Sequence, residues 1–426
     1  MIDIKLIRED PEKFKKAAKD KGFEVDIDKL LDLDERIQNV NKRLQETRTK
    51  VNELGKKVAK LPDSEKKITL LEKLSELKKK NIEHIEKAQS LQPEFKKLMY
   101  RVAQPPDDDV PIGEDDTENV EIRREGKIRE FDFEPKDHVQ LGTALGIIDI
   151  ERGVKLAGTR NYLLKGDGAL LHWAVLRFAI DFMVGKGYVP LSVPVLVRDE
   201  AMVGTGFFPG SEDQTYRMEK DELSFAGTAE VPLTAYRMGE ILKAEELPLK
   251  YVGLSSCFRR EAGAAGKDTY GLYRIHQFDK VEQVVICEDS AEESRKFHEE
   301  ILANSEGVMQ ALELPYRVAD VCTGDLGRGQ AKKFDIEAWM PSRGNYCETH
   351  SASKLYEFQA RRMNLRYKDA VTKKNLFCHT LNNTVIASPR ILIPILELYQ
   401  NADCSITIPK VLRPYMNGKE KITAES

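Results

Sequence analysis

Several features that would mark a protein class are missing from this chain. No uninterrupted apolar run reaches the roughly 18 to 20 residues that a membrane span requires. The opening stretch MIDIKLIREDPEKFKK also lacks the apolar core of a signal peptide, so a cytoplasmic location without membrane contact is expected. The six cysteines (Cys257, Cys287, Cys322, Cys347, Cys378, Cys404) never form C-x-x-C pairs, which argues against a disulfide framework and against the common zinc spacings. An overall basic balance is absent too. The formal net charge is −4, which excludes a uniformly basic nucleic-acid binder and leaves local patches open. A phosphate loop is missing as well. GAAGKDT, residues 263–269, has a Gly-Lys pair, but Glu261 and Asp268 stand where glycine and Ser or Thr would be needed for backbone amides to surround a phosphate.

What is present is a long chain with enough apolar content for a large core: 426 residues, 41% hydrophobic and 32% charged, which fits two or three domains. Near the start, apolar residues recur by three and four at Leu30, Leu33, Ile37, Val40, Leu44, Val51, Leu54, Val58 and Leu61, interrupted only by Thr47. A second register runs Leu70, Leu74, Leu77, Ala88, Leu91, Phe95, Leu98 and Val102, with Asn81 and His84 as polar members. Two heptad segments separated by PDSE predict an antiparallel helical hairpin, a coiled coil over residues 30–102. The first segment would be about 48 Å long at 1.5 Å per residue. Pro93 is expected to kink or restart the second helix. His84 reads as a packed seam residue, since no ligand partner lies near it in sequence.

The hairpin is lopsided in charge. Residues 36–61 and 64–101 hold eighteen Lys and Arg against eight Glu, a net +10, so the remainder of the chain carries −14. A positive rod with few aromatics suits a nucleic-acid backbone read by shape. A solvated coiled coil kept soluble by lysine fits the same composition.

Residues 104–119, QPPDDDVPIGEDDTEN, read as a linker between an arm of residues 1–103 and a domain of residues 120–426. In that domain LHWAVLRFAIDFMVGKGY predicts a helix. YVGLSSCFRR, HQFDKVEQVVICE, FDIEAWMP and LFCHTLNNTVIA have strand character. Strands outnumber helices without regular alternation, so the fold class is α+β, an antiparallel β-sheet flanked by helices. In SPRILIPILELYQ, Ser388 is expected to cap a helix, with Pro389 in its first turn. Arg274, His276, Phe278, Lys280 and Glu282 occupy alternate positions and would share one face of a strand. From spacing alone, a solvated edge strand accounts for that series equally well.

The ordered motifs resemble those of class II aminoacyl-tRNA synthetases. KGYVPLSVP, ending at Pro194, is similar to motif 1, FRREAGAAGKDTYGLYRIHQFDKVEQ at 258–283 to motif 2, and LNNTVIASPRIL to motif 3. GTAEVPL at 227–233, ETHSASKLYEFQARRMNLRY at 348–367 and the basic N-terminal hairpin narrow the resemblance to the seryl-tRNA synthetase family, bacterial type, over nearly the whole chain.

The resemblance implies ATP-dependent attachment of L-serine to tRNA through a seryl-adenylate. Arg259 would be the catalytic cation, bridging the serine carboxylate and the α-phosphate. Glu261 would accept from the adenine amino group, Phe278 and Arg390 would stack about the base, and Arg274 would meet the distal phosphates. Glu348 and Ser351, one helical turn or a short loop apart, would hold Mg2+. Thr228, Glu230, Glu282, Asn382 and Thr384 would surround the serine. Implied partners are tRNA(Ser), with tRNA(Sec) as a second candidate, and a second copy of the chain in a homodimer. Motif 3 departs from the family pattern, because residues 382–390 contain no glycine. Two other functions stay open on these residues: a related ligase that loads a small amino acid onto a carrier protein, and a non-catalytic RNA-binding paralogue.

Overall fold

The computed structural model describes residues 1–264, 266 and 268–424, so Ala265 and Lys267 of the GAAGKDT stretch lie outside the described residues. The chain divides into two compact units, Ile2–Ala103 and the rest from Gln104 onward with Met1.

The first unit is built on two long helices, α1 (Ile27–Ala59) and α2 (Glu65–Arg101). Asp26 starts α1 by accepting from the Lys29 amide at 2.8 Å, and Ser64 starts α2 by accepting from Lys67 at 3.4 Å, each satisfying an amide that has no partner in the helix. Leu30, Leu33, Ile37, Val40 and Val58 of α1 and Leu91 and Leu98 of α2 are buried, as the heptad register requires. Thr47, also buried, returns its hydroxyl to the Arg43 carbonyl at 2.8 Å, whereas the side-chain oxygen of Asn81 in the same seam has no hydrogen-bond partner among the described residues. Lys29 pairs with Glu94 at 2.8 Å, joining the first turn of α1 to the last turns of α2, the antiparallel arrangement. The helix does not restart at Pro93; α2 runs through it. Proline removes a single amide donor there, and Leu91 and Leu98 on either side stay buried, so seam packing outweighs the lost bond.

The second unit is organised by an eight-stranded sheet: β1 (Val120–Glu125), β2 (Val189–Leu191), β3 (Leu249–Phe258), β4 (Gln277–Cys287), β5 (Tyr316–Asp320), β6 (Lys332–Met340), β7 (Asn345–Tyr356) and β8 (His379–Ser388). Their order is β1-β5-β6-β7-β8-β4-β3-β2, and every pairing is antiparallel except the edge pair β2–β3. Two helices, α3 (Asp167–Gly185) and α4 (Ala291–Ala311), contribute Leu171, Val175, Ala179, Phe297, Ile301 and Val308 to a core shared with Val252, Val281, Val285, Leu381 and Val385. Helix α3 is long and apolar enough in composition to cross a membrane, yet it carries Arg177 and Asp181 and lends nine buried residues to the protein interior. Polar side chains that enter the helix-covered face reach α4: Gln283 and Asn383 donate to the Ile301 carbonyl at 2.9 and 2.7 Å, while Asn383 Oδ1 has no partner among the described residues.

Strand β4 is not a solvated edge. It hydrogen-bonds to β3 on one side and β8 on the other, and Lys280 and Glu282 are only 6% and 1% exposed. The alternating series is a strand face only from Phe278 onward, because β4 begins at Gln277. The Ser388 cap is also not formed. Ser388 ends β8 and its hydroxyl pairs with His172 Nδ1 at 2.8 Å, while the next helix, α5 (Leu392–Leu398), starts at Ile391 without a side-chain cap. Residues 104–119, though polar and proline-rich, dock on this unit: the Gln104 and Asp107 amides donate to the Arg328 and Ala331 carbonyls at 2.9 Å each, and Val110 packs with Val321 and Leu326.

Ile301 lies where α4 meets β4 and β8, fully buried. Ile301→Ala is expected to lower the stability of this unit by about 2 to 5 kcal/mol in urea denaturation, through lost burial and the cavity left behind.

Candidate active site

The face of the sheet opposite α3 and α4 gathers most of the charged residues singled out from the sequence. Glu282 sits at its centre. Lys280, two residues earlier and so on the same side of β4, places Nζ 2.6 Å from Glu282 Oε2. From the neighbouring strand β8, Asn382 Nδ2 donates to Glu282 Oε1 at 3.1 Å and the Thr384 hydroxyl to Oε2 at 3.3 Å. A buried carboxylate is tolerable only with such partners. The carbonyl oxygen of Asn382 is buried with no hydrogen-bond partner among the described residues, an acceptor available to a small cationic or hydroxyl-bearing ligand.

Thr228 and Glu230 stand close by. The Glu230 amide donates to Thr228 Oγ1 at 3.1 Å, and Gln359 Nε2 donates to the Glu230 carboxylate at 2.8 Å. Burial, reinforced by the Glu282 charge and opposed by Lys280, pushes the Glu230 carboxyl up to about 7.

Beside this polar floor two cavities, about 490 and 60 Å³, share Arg259, Glu261 and Arg274 in their walls; the smaller also touches Phe278, Glu348, Thr384 and Arg390. Arg259 donates Nε to the Gly227 carbonyl at 3.2 Å and lies over the Phe278 ring at 5.1 Å, with no carboxylate within ion-pair distance among the described residues. Its charge is available to an incoming anion. Glu261 and Arg274, assigned separate contacts by the resemblance, here pair with each other at 2.8 Å. Arg390 stacks over Tyr273 at 4.4 Å, donates to the Glu348 carbonyl at 3.1 Å and has its guanidinium 3.8 Å from the Glu348 carboxylate. The guanidinium over Phe278 is thus that of Arg259. Motif 3 needs no glycine for its backbone: none of residues 382–390 has a positive φ, and Ala387 lines the smaller cavity.

Glu348 and Ser351 belong to one strand, β7, neither a helical turn nor a loop. Three residues apart, they would point to opposite faces of a regular strand. The register with β6 slips between Ile336↔His350 and Glu337↔Glu348, so Thr349 is an extra residue, and this bulge brings Glu348 and Ser351 to the same side. Burial tends to raise the Glu348 carboxyl, but Arg390, Lys333, Arg259 and Lys280 outweigh it and hold it below the usual range. Asp335 faces Ser351 in register, and the nearby hydroxyl favours its charged form. Burial, with Lys333 opposing it, pushes Asp335 up to about 7. Carboxylate and hydroxyl oxygens are the donors a hard divalent cation prefers, so this set fits Mg2+.

Sequence reasoning passed over four residues of this site: Tyr273, Lys280 as the partner of Glu282, Asp335 and Gln359. Only Lys280 carried a signal, its place in the alternating series. The other three are joined to the site by contacts across strands or loops.

Two family models match the chain: the tRNA synthetase class II core domain (G, H, P, S and T) over residues 214–399, and the seryl-tRNA synthetase N-terminal domain over residues 1–106. The chain is 47% identical to the serine-tRNA ligase of Deinococcus radiodurans, covering 99% of this chain and 98% of that one, and 43% identical to that of Rubrobacter xylanophilus, covering 99% of both. Among solved structures, the seryl-tRNA synthetase of Pyrococcus horikoshii complexed with ATP superimposes with a TM-score of 0.92 at 38% identity over the full length of both chains. The cytoplasmic serine-tRNA ligase of Naegleria fowleri in complex with AMP gives 0.88 at 30% identity, covering 100% of this chain and 99% of that one.

Because the Glu230 carboxyl is raised in the folded protein, its stabilising contribution is complete below the ordinary carboxylate range and is lost as pH rises through about 7. Glu230→Gln removes that loss. Its stability relative to wild type should therefore improve by roughly 1 to 3 kcal/mol between pH 5 and pH 8 in urea titrations, and a pH-independent difference would contradict the assignment.

Proposed function

The chain belongs to the seryl-tRNA synthetase family, and we propose that its two units divide one reaction: the catalytic domain, residues 120–426, activates serine, while the arm, residues 1–103, grips the tRNA, with residues 104–119 connecting them. The chain attaches L-serine to tRNA at the expense of ATP. The observation that carries the reading at the level of chemistry is an Arg259 with no carboxylate partner among the described residues, beside the buried Glu282, Asn382 and Thr384 cluster.

In the first step the serine carboxylate attacks the α-phosphorus of ATP. A carboxyl–phosphate bond forms, the bond to the β-phosphate oxygen breaks, and pyrophosphate leaves. Two anions approach each other only where fixed positive charge offsets their repulsion. Arg259 supplies it, and its planar fork can bridge carboxylate and phosphate together. Arg274 would release Glu261 to meet the distal phosphates, freeing Glu261 for the adenine amino group. Phe278 and Arg390 would bracket the base once Arg259 turns from the Phe278 ring to the phosphate. Glu348 and Ser351 would hold Mg2+, whose charge when bound further offsets that of the triphosphate. Glu282 and Thr384 accept and donate at the serine hydroxyl, while Thr228, Glu230 and Asn382 receive the ammonium. Such a site rejects alanine by leaving its own buried polar groups unpaired.

In the second step a terminal ribose hydroxyl of the tRNA attacks the activated carbonyl, the ester forms, and AMP leaves. No side chain has to act as nucleophile; positioning and charge carry the rate. The lysine-rich α1–α2 hairpin supplies the backbone contacts to tRNA(Ser), and tRNA(Sec) is a second candidate of the same chemistry. A homodimer is proposed from motif 1 at the sheet edge, where Val189 of β2, Leu254 of β3 and Trp173 and Val184 of α3 are exposed apolar residues. A cytoplasmic location completes the proposal.

Serine-dependent exchange of pyrophosphate into ATP tests the activation step; a pure, folded protein that shows none would overturn the reading. In the same assay Arg259→Ala should lose on the order of 10³-fold or more of the exchange rate, and near-normal exchange would remove Arg259 from its role. Deleting residues 30–102 should leave exchange largely intact and abolish tRNA charging, and the intact protein's tRNA affinity should fall steeply with salt.

A further inference from the structure

Asp335 is 4% exposed and occupies the strand position directly opposite Ser351, so both side chains project from the same face of the sheet. One of its oxygens, Oδ2, lies 3.4 Å from Lys333 Nζ, an ammonium that also sits 3.3 Å from Asp325. The other, Oδ1, is buried without a hydrogen-bond partner among the described residues. Glu337, the register neighbour of Glu348, shares this face but is taken up by Arg317. Asp335 is therefore the carboxylate of this strand that remains to act on the pair Glu348 and Ser351.

A serine hydroxyl has one proton and two lone pairs. It can face a cation only if its proton points elsewhere, and in a buried site that proton needs an acceptor. We propose that Asp335 is a positioning residue for the cation site: its carboxylate accepts the Ser351 proton and turns the hydroxyl lone pair toward the metal. Lys333 offsets the cost of burying this second negative charge beside Glu348. The arrangement parallels the carboxylates that orient other metal ligands from behind. The proposal rests on the reading of Glu348 and Ser351 as cation ligands.

Mn2+ serves as the probe, titrated into the full-length protein with saturating ATP and no serine at pH 8, and followed by electron paramagnetic resonance. Asp335→Asn should weaken Mn2+ binding by about 10- to 100-fold. Added to Ser351→Ala, it should weaken binding no further, since its effect passes through that hydroxyl. Mn2+ affinity within twofold of wild type in Asp335→Asn, alongside clear weakening in Glu348→Gln, would overturn the role of Asp335 and leave the ligands standing. Full additivity of Asp335→Asn and Ser351→Ala would overturn it too. If Glu348→Gln also binds Mn2+ normally, the ligand assignment falls and the proposal with it. Should Asp335→Asn fail to fold, a crystal structure of the wild-type protein with Mn2+ and ATP decides: a Ser351 hydroxyl hydrogen-bonded to Asp335 supports the proposal, and one turned away from it refutes it.

Discussion

Two negatively charged groups, an amino-acid carboxylate and a triphosphate, have to be pressed together for this chemistry, and electrostatic repulsion is the constraint to which the site answers. The protein places charge of both signs on one face of a sheet whose other face is buried under helices. Glu282 and Lys280 lie in a strand hydrogen-bonded on both sides, and such a position is affordable only because every charge there has partners. Arg259, at the end of the adjacent strand, has no carboxylate within ion-pair distance among the described residues, and its free charge is where chemistry can happen.

The scaffold fits this demand. In an antiparallel sheet, side chains opposite one another in register share a face, so residues far apart in sequence converge without any loop having to position them. Glu282 and Thr384 are a register pair, and so are Asp335 and Ser351. On the far side of the same strands, Val281, Val285 and Val385 join the core with α3 and α4, so the geometry of the charged face is tied to the packing of the apolar one.

The sequence was legible where a period is local. Heptads between Leu30 and Val102 predict the hairpin because the seam repeats every 3.5 residues whatever surrounds it. The alternation through Phe278, Lys280 and Glu282 marks a face, and the motif resemblance names its residues. What was not legible depends on partners distant in sequence. Spacing left a solvated edge for β4 as good a reading as a buried face, since burial of its charges requires β3 and β8 on either side. Nothing in ETHSAS reveals the bulge at Thr349 that turns Glu348 and Ser351 to one side, and the link from Asp335 to Ser351 exists only through register. Ser388 has the local chemistry of a helix cap, but His172, 216 positions earlier, takes its hydroxyl. Pro93 does not interrupt α2, because packing along the seam tolerates the missing amide.

If the face between Arg259 and Glu282 is shaped for a carboxylate joined to a phosphate, it should hold the joined species better than its separate parts. Calorimetric titration with a non-hydrolysable seryl-adenylate mimic, compared with ATP and L-serine alone, measures this directly. The account predicts binding of the mimic tighter by about 10²-fold or more than either component; a mimic bound no more tightly than ATP would contradict it.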